Sequence, residues 1–429
     1  MNTVQRGWWV IELVVVIISV VALLTLIRLN VNIGVALMVE GLLIVLLTKP
    51  LLLPDVLTST LVSERTDSLI LASLNISLLV ELYESTKLIN KLGDELLRLV
   101  KKPYLVIASL PAVMGLLPIA GGALMSAPLV ETAGVSIGLN TALMSFLNVW
   151  FRHTIYLVYP MSQALITVAA LTNHSVSEIA TYQIPVMVIM IIVGVCLTRR
   201  GSVARSRSPY EVNDSTADVR KLSIYVSPII ASIVAALAIR PLLLVLNIYG
   251  DYCVALGGLT GVILVVMISS TCVEGRVTPA MLFSALKSER VTSMVLSSFG
   301  AMLIYHAMII TGISASLGVL INSSGFPAVA VEVLLPGVLS LISGSSVAGI
   351  ASSIPLMANL TAFSLGDASL IYISSFLFYM VSPTHLCLVF TVQYFKESLM
   401  RVYKYLIPAI VVLLTFILAY YYSVLSMTT

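Results

Sequence analysis

Two apolar segments of the chain carry clusters of small residues at the same relative position. In residues 110–131 the cluster is Gly121 and Gly122, and in residues 335–357 it is the Ser-Gly-Ser-Ser of residues 343–346. Each segment begins with Leu-Pro and reaches a second proline after its cluster. A helix that breaks at such a cluster exposes unpaired N–H groups, which attract anions, and unpaired carbonyls, which attract cations. Paired breaks in two halves of an apolar chain indicate a transporter's binding site at the bilayer centre.

A second polar group follows each cluster. After the first come Asn148, Arg152 and His153, and after the second Thr384 and His385 follow a Ser-Pro helix break. A guanidinium deep in an apolar helix is costly and commonly faces a cavity, where its planar fork suits carboxylate, sulfonate or phosphate oxygens. The alternatives are that Arg152 forms a structural ion pair or extends to the membrane surface. The histidines are candidates for proton relay or for packed hydrogen-bonding residues.

These two groups supply the predicted site. The hydroxyls and freed carbonyls of the second cluster suit a sodium ion, whereas close helix packing is the alternative role of each small residue. Glu131 and Glu332 are the alternative ion-pair partners of Arg152. The predicted cation-binding residues are Ser343, Ser345 and Ser346. The predicted substrate-binding residues are Gly121, Gly122, Ser126, Asn148, Arg152, His153, Gly344, Thr384 and His385.

The composition is typical of a membrane protein. Of 429 residues, 59% are hydrophobic and 10% are charged, and the mean hydropathy is +1.07. A water-soluble globule needs more polar surface, so the chain is predicted to be an all-α polytopic membrane protein. The four cysteines lie in apolar stretches without metal or redox spacing and are interpreted as core residues. No cofactor and no metal site are therefore predicted beyond an alkali cation, with sodium as the candidate coupling ion and protons as the alternative.

Windows of about 20 residues locate ten spanning helices, five in each half. The first, residues 8–27, is too long for a signal peptide and lacks a cleavage site, so it is interpreted as a retained helix. Residues 104–130 and 329–358, which hold the clusters, are predicted to be re-entrant hairpins. The ten spans are residues 8–27, 31–48, 68–85, 138–171, 184–198, 222–246, 252–270, 292–310, 368–395 and 405–423.

Basic residues determine the predicted orientation. If both hairpins return to the side that they enter, 18 Lys and Arg residues are cytoplasmic and 4 are external, with Arg152 inside the membrane. The positive-inside rule favours this arrangement, which places both chain termini outside the cell membrane. Making either hairpin a single crossing would move the basic loops that follow it to the wrong face.

The same arrangement predicts two inverted repeats. Each half has three spans, an amphipathic segment, a hairpin and two further spans, and five crossings separate the halves. The predicted units are residues 1–198, with hairpin 104–130 and broken helix 138–171; a charged cytoplasmic linker, 199–221; and residues 222–429, with hairpin 329–358 and broken helix 368–395.

Three local motifs resemble a known membrane family. The prokaryotic "domain of unknown function 401" family is similar to this chain in GLLPIAGGALMSAPLVE from Gly115, FLNVWFRH from Phe146 and SPTHLCLVF from Ser382. That family is grouped with the ion transporter superfamily, which includes gluconate permeases and divalent-anion symporters. The resemblance implies a scaffold and a hairpin-bearing transport domain, often dimeric, that works by elevator motion. The Ser-Asn-Thr signatures of the divalent-anion symporters are missing from these hairpin tips, so citrate-like or succinate-like specificity does not follow.

Together these features predict a secondary active transporter of a small anion, an organic carboxylate, coupled to sodium or protons. Its predicted partners are the lipid bilayer, the anionic substrate and a second copy of the chain. An anion channel is the first alternative. An intramembrane enzyme with Ser345 and His385 as nucleophile and base is the second, but the usual hydrolase motifs are missing. No basic-aromatic patch indicates nucleic acid.

The orientation can be tested by labelling single cysteines in a cysteine-free background. We expect a cysteine at Lys101 to react with an impermeant reagent only from the cytoplasm, and one at His174 or Ser323 only from outside. Labelling of positions 101 and 323 from the same face would contradict the hairpin topology.

Overall fold

The computed structural model describes residues 3–116, 122–202, 218–271, 276–323, 325–358 and 363–423. Within these ranges the chain is helical and contains no β-strand, as its composition predicts. The first half contains α1 (Thr3–Arg28), α2 (Ile33–Thr48), α3 (Leu53–Val62), α4 (Glu64–Ser85), α5 (Leu88–Leu99), α6 (Pro103–Gly115), α7 (Ala123–Ser136), α8 (Thr141–Thr154), α9 (Gln163–Thr172), α10 (Val176–Tyr182) and α11 (Ile184–Gly201). The second half contains α12 (Val219–Val245), α13 (Tyr252–Thr271), α14 (Pro279–Leu286), α15 (Glu289–Thr311), α16 (Ile313–Ser323), α17 (Ala328–Ser343), α18 (Ser346–Met357), α19 (Leu365–Met380), α20 (Leu386–Tyr394) and α21 (Leu399–Ser423).

Seven helices of the described ranges are long and apolar enough to cross a membrane. They are α1, α4, α11, α12, α13, α15 and α21, and each coincides with one of the ten predicted spans. The other three predicted spans correspond to α2, which has 16 residues, and to two interrupted pairs, α8 with α9 and α19 with α20. These crossings agree with a multi-pass membrane protein.

Apolar side chains of the outer helices face away from the protein. Ile17, Val21, Ile192, Val234 and Val412, on α1, α11, α12 and α21, are each about half exposed. Apolar surface of this extent on several helices is unfavourable in water. These faces are the surface that a lipid bilayer covers in a membrane protein.

Both interrupted helices break at a proline. α8 and the 3-10 turn after it end before Pro160, and α9 begins at Gln163. α19 ends before Pro383, and α20 begins at Leu386. Proline lacks the N–H group that a helix needs and disfavours helix in the residue before it. Each break therefore places irregular backbone inside the protein.

The two cluster-bearing segments form pairs of helices, α6 packed on α7 and α17 packed on α18. At the second turn Gly344 adopts the left-handed conformation, with φ +66°, which glycine reaches without a steric penalty. Ser345 then caps α18, because its hydroxyl accepts a 3.2 Å hydrogen bond from the Ala348 N–H. The first turn, residues 117–121, lies outside the described residues.

Helices of the two halves pack in matched pairs. α2 packs on α15 and α13 packs on α4, while α4 and α15 pack on each other. α6 packs on α8 as α17 packs on α19, and α7 contacts α20 as α18 contacts α9. The clearest difference between the halves is that α18 packs on α15, whereas α7 makes no comparable contact with α4 in the described ranges.

Three short helices, α3, α10 and α14, lie between predicted spans, in segments for which no helix is predicted. Their sequences carry ordinary start signals. Ser175 and Glu178 form a capping box at α10, and Thr278 caps α14 ahead of Pro279. Since each helix has only 7 to 10 residues, a hydropathy window sized for a membrane span passes over it.

The close approach of α2 to α15 depends on glycine. A Cβ at Gly34 would collide with the backbone of Leu296 and Ser297, so the helices would have to separate. We expect Gly34→Ala to lower the free energy of unfolding by about 1–3 kcal/mol, seen as a lower melting temperature in detergent. Val35→Ala, on the exposed face of α2, is the matched control and should melt near the wild-type temperature. If Gly34→Ala and wild type have the same melting temperature, the close approach of α2 to α15 does not depend on this glycine.

Candidate functional site

A cavity of about 250 Å³ lies where both interrupted helices meet the end of α6, the tip of the second hairpin and α15. Its lining combines one cationic side chain with hydroxyls, an amide, an imidazole, a thiol and apolar groups. The polar side chains that line it are Arg152, His153, Tyr156, Gln163, Ser293, Ser297, Ser345, Tyr379 and Cys387.

Arg152 connects the last turn of α8 to the end of α6 and the start of α7 in the first hairpin. The side chain is buried, and its Nη1 donates a 2.8 Å hydrogen bond to the Met114 carbonyl near the end of α6. Residue 118, which would supply the next helical N–H to that carbonyl, is a proline. The guanidinium lies directly against Gly122, where a Cβ would collide with it. Arg152 therefore anchors the hairpin and lines the cavity at the same time.

Asn148, one turn earlier on α8, joins the same hairpin to α20. Its amide donates to the Ala123 carbonyl at 2.9 Å and to the Thr391 hydroxyl at 3.2 Å, and its side-chain oxygen accepts from Ser126 at 2.6 Å. These residues are buried, and neither Asn148 nor Ser126 lines the cavity. Their contacts favour a structural role, while their predicted contact with substrate stays a prediction.

Ser382 connects the second hairpin to its interrupted helix, as Arg152 does for the first. Its hydroxyl donates a 2.6 Å hydrogen bond to the Leu341 carbonyl near the end of α17. The same hydroxyl lies 2.9 Å from that of Thr384, which packs directly against Gly344. Each hairpin is therefore held by a side chain of the interrupted helix that follows it, from the last turn of α8 in the first case and from the break itself in the second.

The three serines predicted to bind a cation shape the second turn. The Ser343 hydroxyl donates to the Leu339 carbonyl at 2.6 Å, Ser345 caps α18, and the Ser346 carbonyl accepts from the Ser375 hydroxyl at 3.1 Å. Of the three, Ser345 lines the cavity. The cation site stays a prediction, and Ser345 is the member that an ion in the cavity would reach.

Two histidines and a cysteine lie together beside the cavity. The rings of His153 and His385 are 4.9 Å apart and nearly perpendicular. His153 Nδ1 lies 2.7 Å from the Val149 carbonyl, so this nitrogen must carry the proton. His385 is fully buried, and neither of its ring nitrogens makes a hydrogen bond of good geometry, the Met380 backbone being its one weak partner among the described residues. The candidate ligand atoms of His153, His385 and Cys387 all lie within 4.8 Å of one another.

A buried polar cluster joins the cavity to the crossing of α4 and α15. The Ser73 hydroxyl lies 2.6 Å from that of Ser298 and donates to the Gln163 side-chain oxygen at 2.9 Å. The Gln163 amide donates in turn to Ser298 at 2.9 Å. Because Gln163 begins α9 and lines the cavity, this cluster couples the first helix break to the two crossing helices.

The model of a protein family described as "Protein of unknown function (DUF401)" matches residues 11–425. The chain belongs to the DUF401 family. None of the curated proteins matches its sequence. Among solved structures, the fold is similar to the crystal structure of the YdaH transporter from Alcanivorax borkumensis, described as having an unusual topology. The identity is 12% and the TM-score 0.55, over 85% of this chain and 86% of that chain. The likeness shows a shared fold.

In this DUF401 protein the cavity includes part of the predicted site. Gly121 lies outside the described residues, and Ser126 and Asn148 face the body of the first hairpin. The predicted residues that line the cavity or contact a lining residue are Gly122, Arg152, His153, Ser343, Gly344, Ser345, Thr384 and His385.

Sequence reasoning missed the two tyrosines of the cavity. Tyr156 lies one turn after Arg152, before the first break, and Tyr379 lies just before the Ser-Pro pair of the second break. A tyrosine shortly before each helix break was a signal available in the sequence. No sequence signal of this kind marked the other lining residues Ser293, Ser297 and Cys387. Their side chains reach the cavity only because of how α15 and α20 pack.

Glu131 and Glu332, the two glutamates considered as ion-pair partners of Arg152, do not contact its guanidinium as an ion pair in the described residues. Glu131 accepts a 2.7 Å hydrogen bond from the Tyr394 hydroxyl, and Glu332 Oε2 is buried without a partner. The structural ion pair proposed as an alternative is therefore not formed with either glutamate.

Substitution of Arg152 separates its anchoring role from its charge. Lysine keeps the charge without the planar fork, and glutamine keeps one donor group without the charge. We expect both variants to lower the free energy of unfolding by about 1–3 kcal/mol, because the buried Met114 carbonyl loses its partner. We also expect Arg152→Gln to lose anion binding that Arg152→Lys retains in weakened form.

Melting temperature and anion binding, measured on the same preparations, test this prediction. Arg401→Gln, which removes an exposed arginine, is the control and should change neither. Unchanged anion binding in both Arg152 variants would exclude Arg152 from the site.

Proposed function

We propose that this protein is a secondary active transporter of a small organic anion. The observation that carries the proposal is the position of the cavity, which lies where two helix breaks meet the ends of two hairpins. Transporters bind substrates at such discontinuities, because broken helices offer free backbone groups within the membrane. The similarity in fold to the YdaH transporter supports the same class of function.

The lining of the cavity defines a substrate class. Its volume of about 250 Å³ lies below the range of pockets that hold drug-sized ligands, about 300–1,000 Å³. In the described lining Arg152 is the charged side chain, with hydroxyls and an amide around it. One cation offsets one negative charge, so the substrate that fits best is a monocarboxylate with a short polar or apolar body.

An elevator mechanism is supported by how the helices pack. The matched pairs between the halves are those expected of an inverted repeat, with α2, α4, α13 and α15 at the centre of a scaffold. The hairpins and the interrupted helices form the other group, from α6 to α9 and from α17 to α20. We propose that this second group moves as a transport domain, in a homodimer in the cell membrane with both termini outside.

Coupling to sodium or protons remains part of the proposal. Ser345 and the carbonyls of the second turn offer oxygen ligands beside the cavity for sodium. Glu40 on α2 is an alternative carrier of a proton. It accepts a 2.8 Å hydrogen bond from Ser352 on α18, and its second carboxyl oxygen is buried without a partner.

A ligand screen followed by transport assays tests the proposal. The purified protein is melted with mono-, di- and tricarboxylates, sulfate and phosphate, with and without sodium and at two pH values. A specific ligand raises the melting temperature by mass action. In proteoliposomes, the best ligand should show saturable uptake and counterflow. Uptake without saturation or counterflow would indicate a channel, and stabilisation by none of the anions would contradict the proposed substrate class.

Filling the cavity should stop transport without unfolding the protein. Ser293 lines the cavity from α15, and the neighbouring Thr292 is exposed and lies outside the lining. We expect Ser293→Phe to reduce uptake at least tenfold, because the ring occupies the substrate's space, while Thr292→Phe transports normally. Wild-type uptake by Ser293→Phe at an unchanged melting temperature would show that this cavity is not on the transport path.

A further inference from the structure

The cluster of His153, His385 and Cys387 has a chemistry that anion binding does not use. Within the described residues, these three side chains form the group whose imidazole and thiol atoms could hold one metal ion. Imidazole nitrogen and thiolate sulfur are the preferred ligands of zinc and related ions, whereas alkali cations and magnesium prefer oxygen. All three side chains are buried, so their ligand atoms are better shielded from bulk water than those of a surface cluster.

His153 is already oriented as metal-binding histidines commonly are. Its Nδ1–H donates to the Val149 carbonyl within its own helix. The lone pair therefore lies on Nε2, on the opposite edge of the ring. In metal sites a hydrogen bond of this kind fixes the tautomer and the direction of the ligand nitrogen.

His385 supplies the second, independent observation. It is fully buried, and neither ring nitrogen makes a hydrogen bond of good geometry, with the Met380 backbone as a weak partner. A buried imidazole so poorly satisfied is costly unless a ligand completes its bonding. The residue lies directly before α20, and Cys387 lies in the first turn of that helix, so the backbone of the second helix break positions both ligands.

We propose that His153, His385 and Cys387 form a site for one borderline transition-metal ion, with Zn²⁺ as the best fit. Ligand atoms around tetrahedral zinc lie about 3.3–3.6 Å apart. Since the three atoms lie within 4.8 Å of one another, side-chain movements of about 1 Å would close the site. His153 and Cys387 also line the cavity, so the fourth position opens there to water or to a carboxylate oxygen.

The charge balance of this region is compatible with such an ion. Arg152 adjoins His153 in sequence and disfavours additional positive charge, but metal binding converts the Cys387 thiol to a thiolate and releases its proton. Zn²⁺, one thiolate and one anionic fourth ligand sum to zero. The inference concerns these side chains alone and does not depend on what the protein transports.

Cobalt binding gives a readout that is independent of transport. Co²⁺ substitutes for zinc, and thiolate coordination produces a charge-transfer absorption that oxygen ligands do not give. We expect tag-free protein to bind one Co²⁺ per chain with this absorption, and added Zn²⁺ to displace it. Cys387→Ser should abolish the absorption, and His385→Ala should weaken Co²⁺ affinity at least tenfold, the lower end of the effect of disturbing a metal site.

The other cysteines provide the matched control. A variant with Cys196, Cys253 and Cys272 replaced by serine retains Cys387 and should keep the full absorption. Zn²⁺ should also raise the melting temperature of wild type and of this variant, but not that of Cys387→Ser. Absence of the absorption in wild type, or its survival in Cys387→Ser, would contradict the proposed metal site. The three side chains would then be packing residues around the Tyr379 ring, whose centroid lies 4.1 Å from that of His385.

Discussion

The structure depends on satisfying backbone carbonyls where helices end inside the protein. In hydrocarbon no water is available for such a group, and leaving it unpaired costs several kcal/mol. At the first hairpin the Arg152 guanidinium bonds to the Met114 carbonyl, and at the second the Ser382 hydroxyl bonds to the Leu341 carbonyl. Both donors come from the next interrupted helix, Arg152 from the turn before the break and Ser382 from the break itself, so each hairpin and the helix after it stabilise one another.

This arrangement explains why polar groups concentrate at one place. Once two tips and two breaks are joined, their remaining side chains face a shared space, which is the cavity. Helix α15 lines it on one side, and Gln163 ties α9 to the crossing of α4 and α15 through Ser73 and Ser298. Binding groups in the cavity are thus connected to both the hairpins and the central helices.

The sequence predicted the helical class, the apolar crossings and the depth of Arg152 inside the protein, because these follow from composition, hydropathy and the cost of a charge in an apolar helix. It did not predict the Met114 carbonyl as a partner of Arg152, since a backbone acceptor leaves no trace in residue type. The Gln163 cluster was also missed, because three common polar residues far apart in sequence meet only through tertiary packing. The hydrogen bonds of Asn148 to Ser126 and Ala123 could not be predicted either, because they depend on the rotation of α8 against the first hairpin.

Helix α18 packs on α15, whereas the equivalent helices α7 and α4 make no comparable contact in the described ranges. This difference between the halves affects the relative energies of the arrangements that the protein can adopt. If the halves are inverted repeats, exchanging their contacts would generate a second arrangement with the cavity open to the opposite side. Two identical halves would make those arrangements equal in energy. Residues that differ between the halves remove that degeneracy, and the Glu40–Ser352 hydrogen bond between α2 and α18 is one such difference. Divergence between the halves would then set the resting population of each orientation.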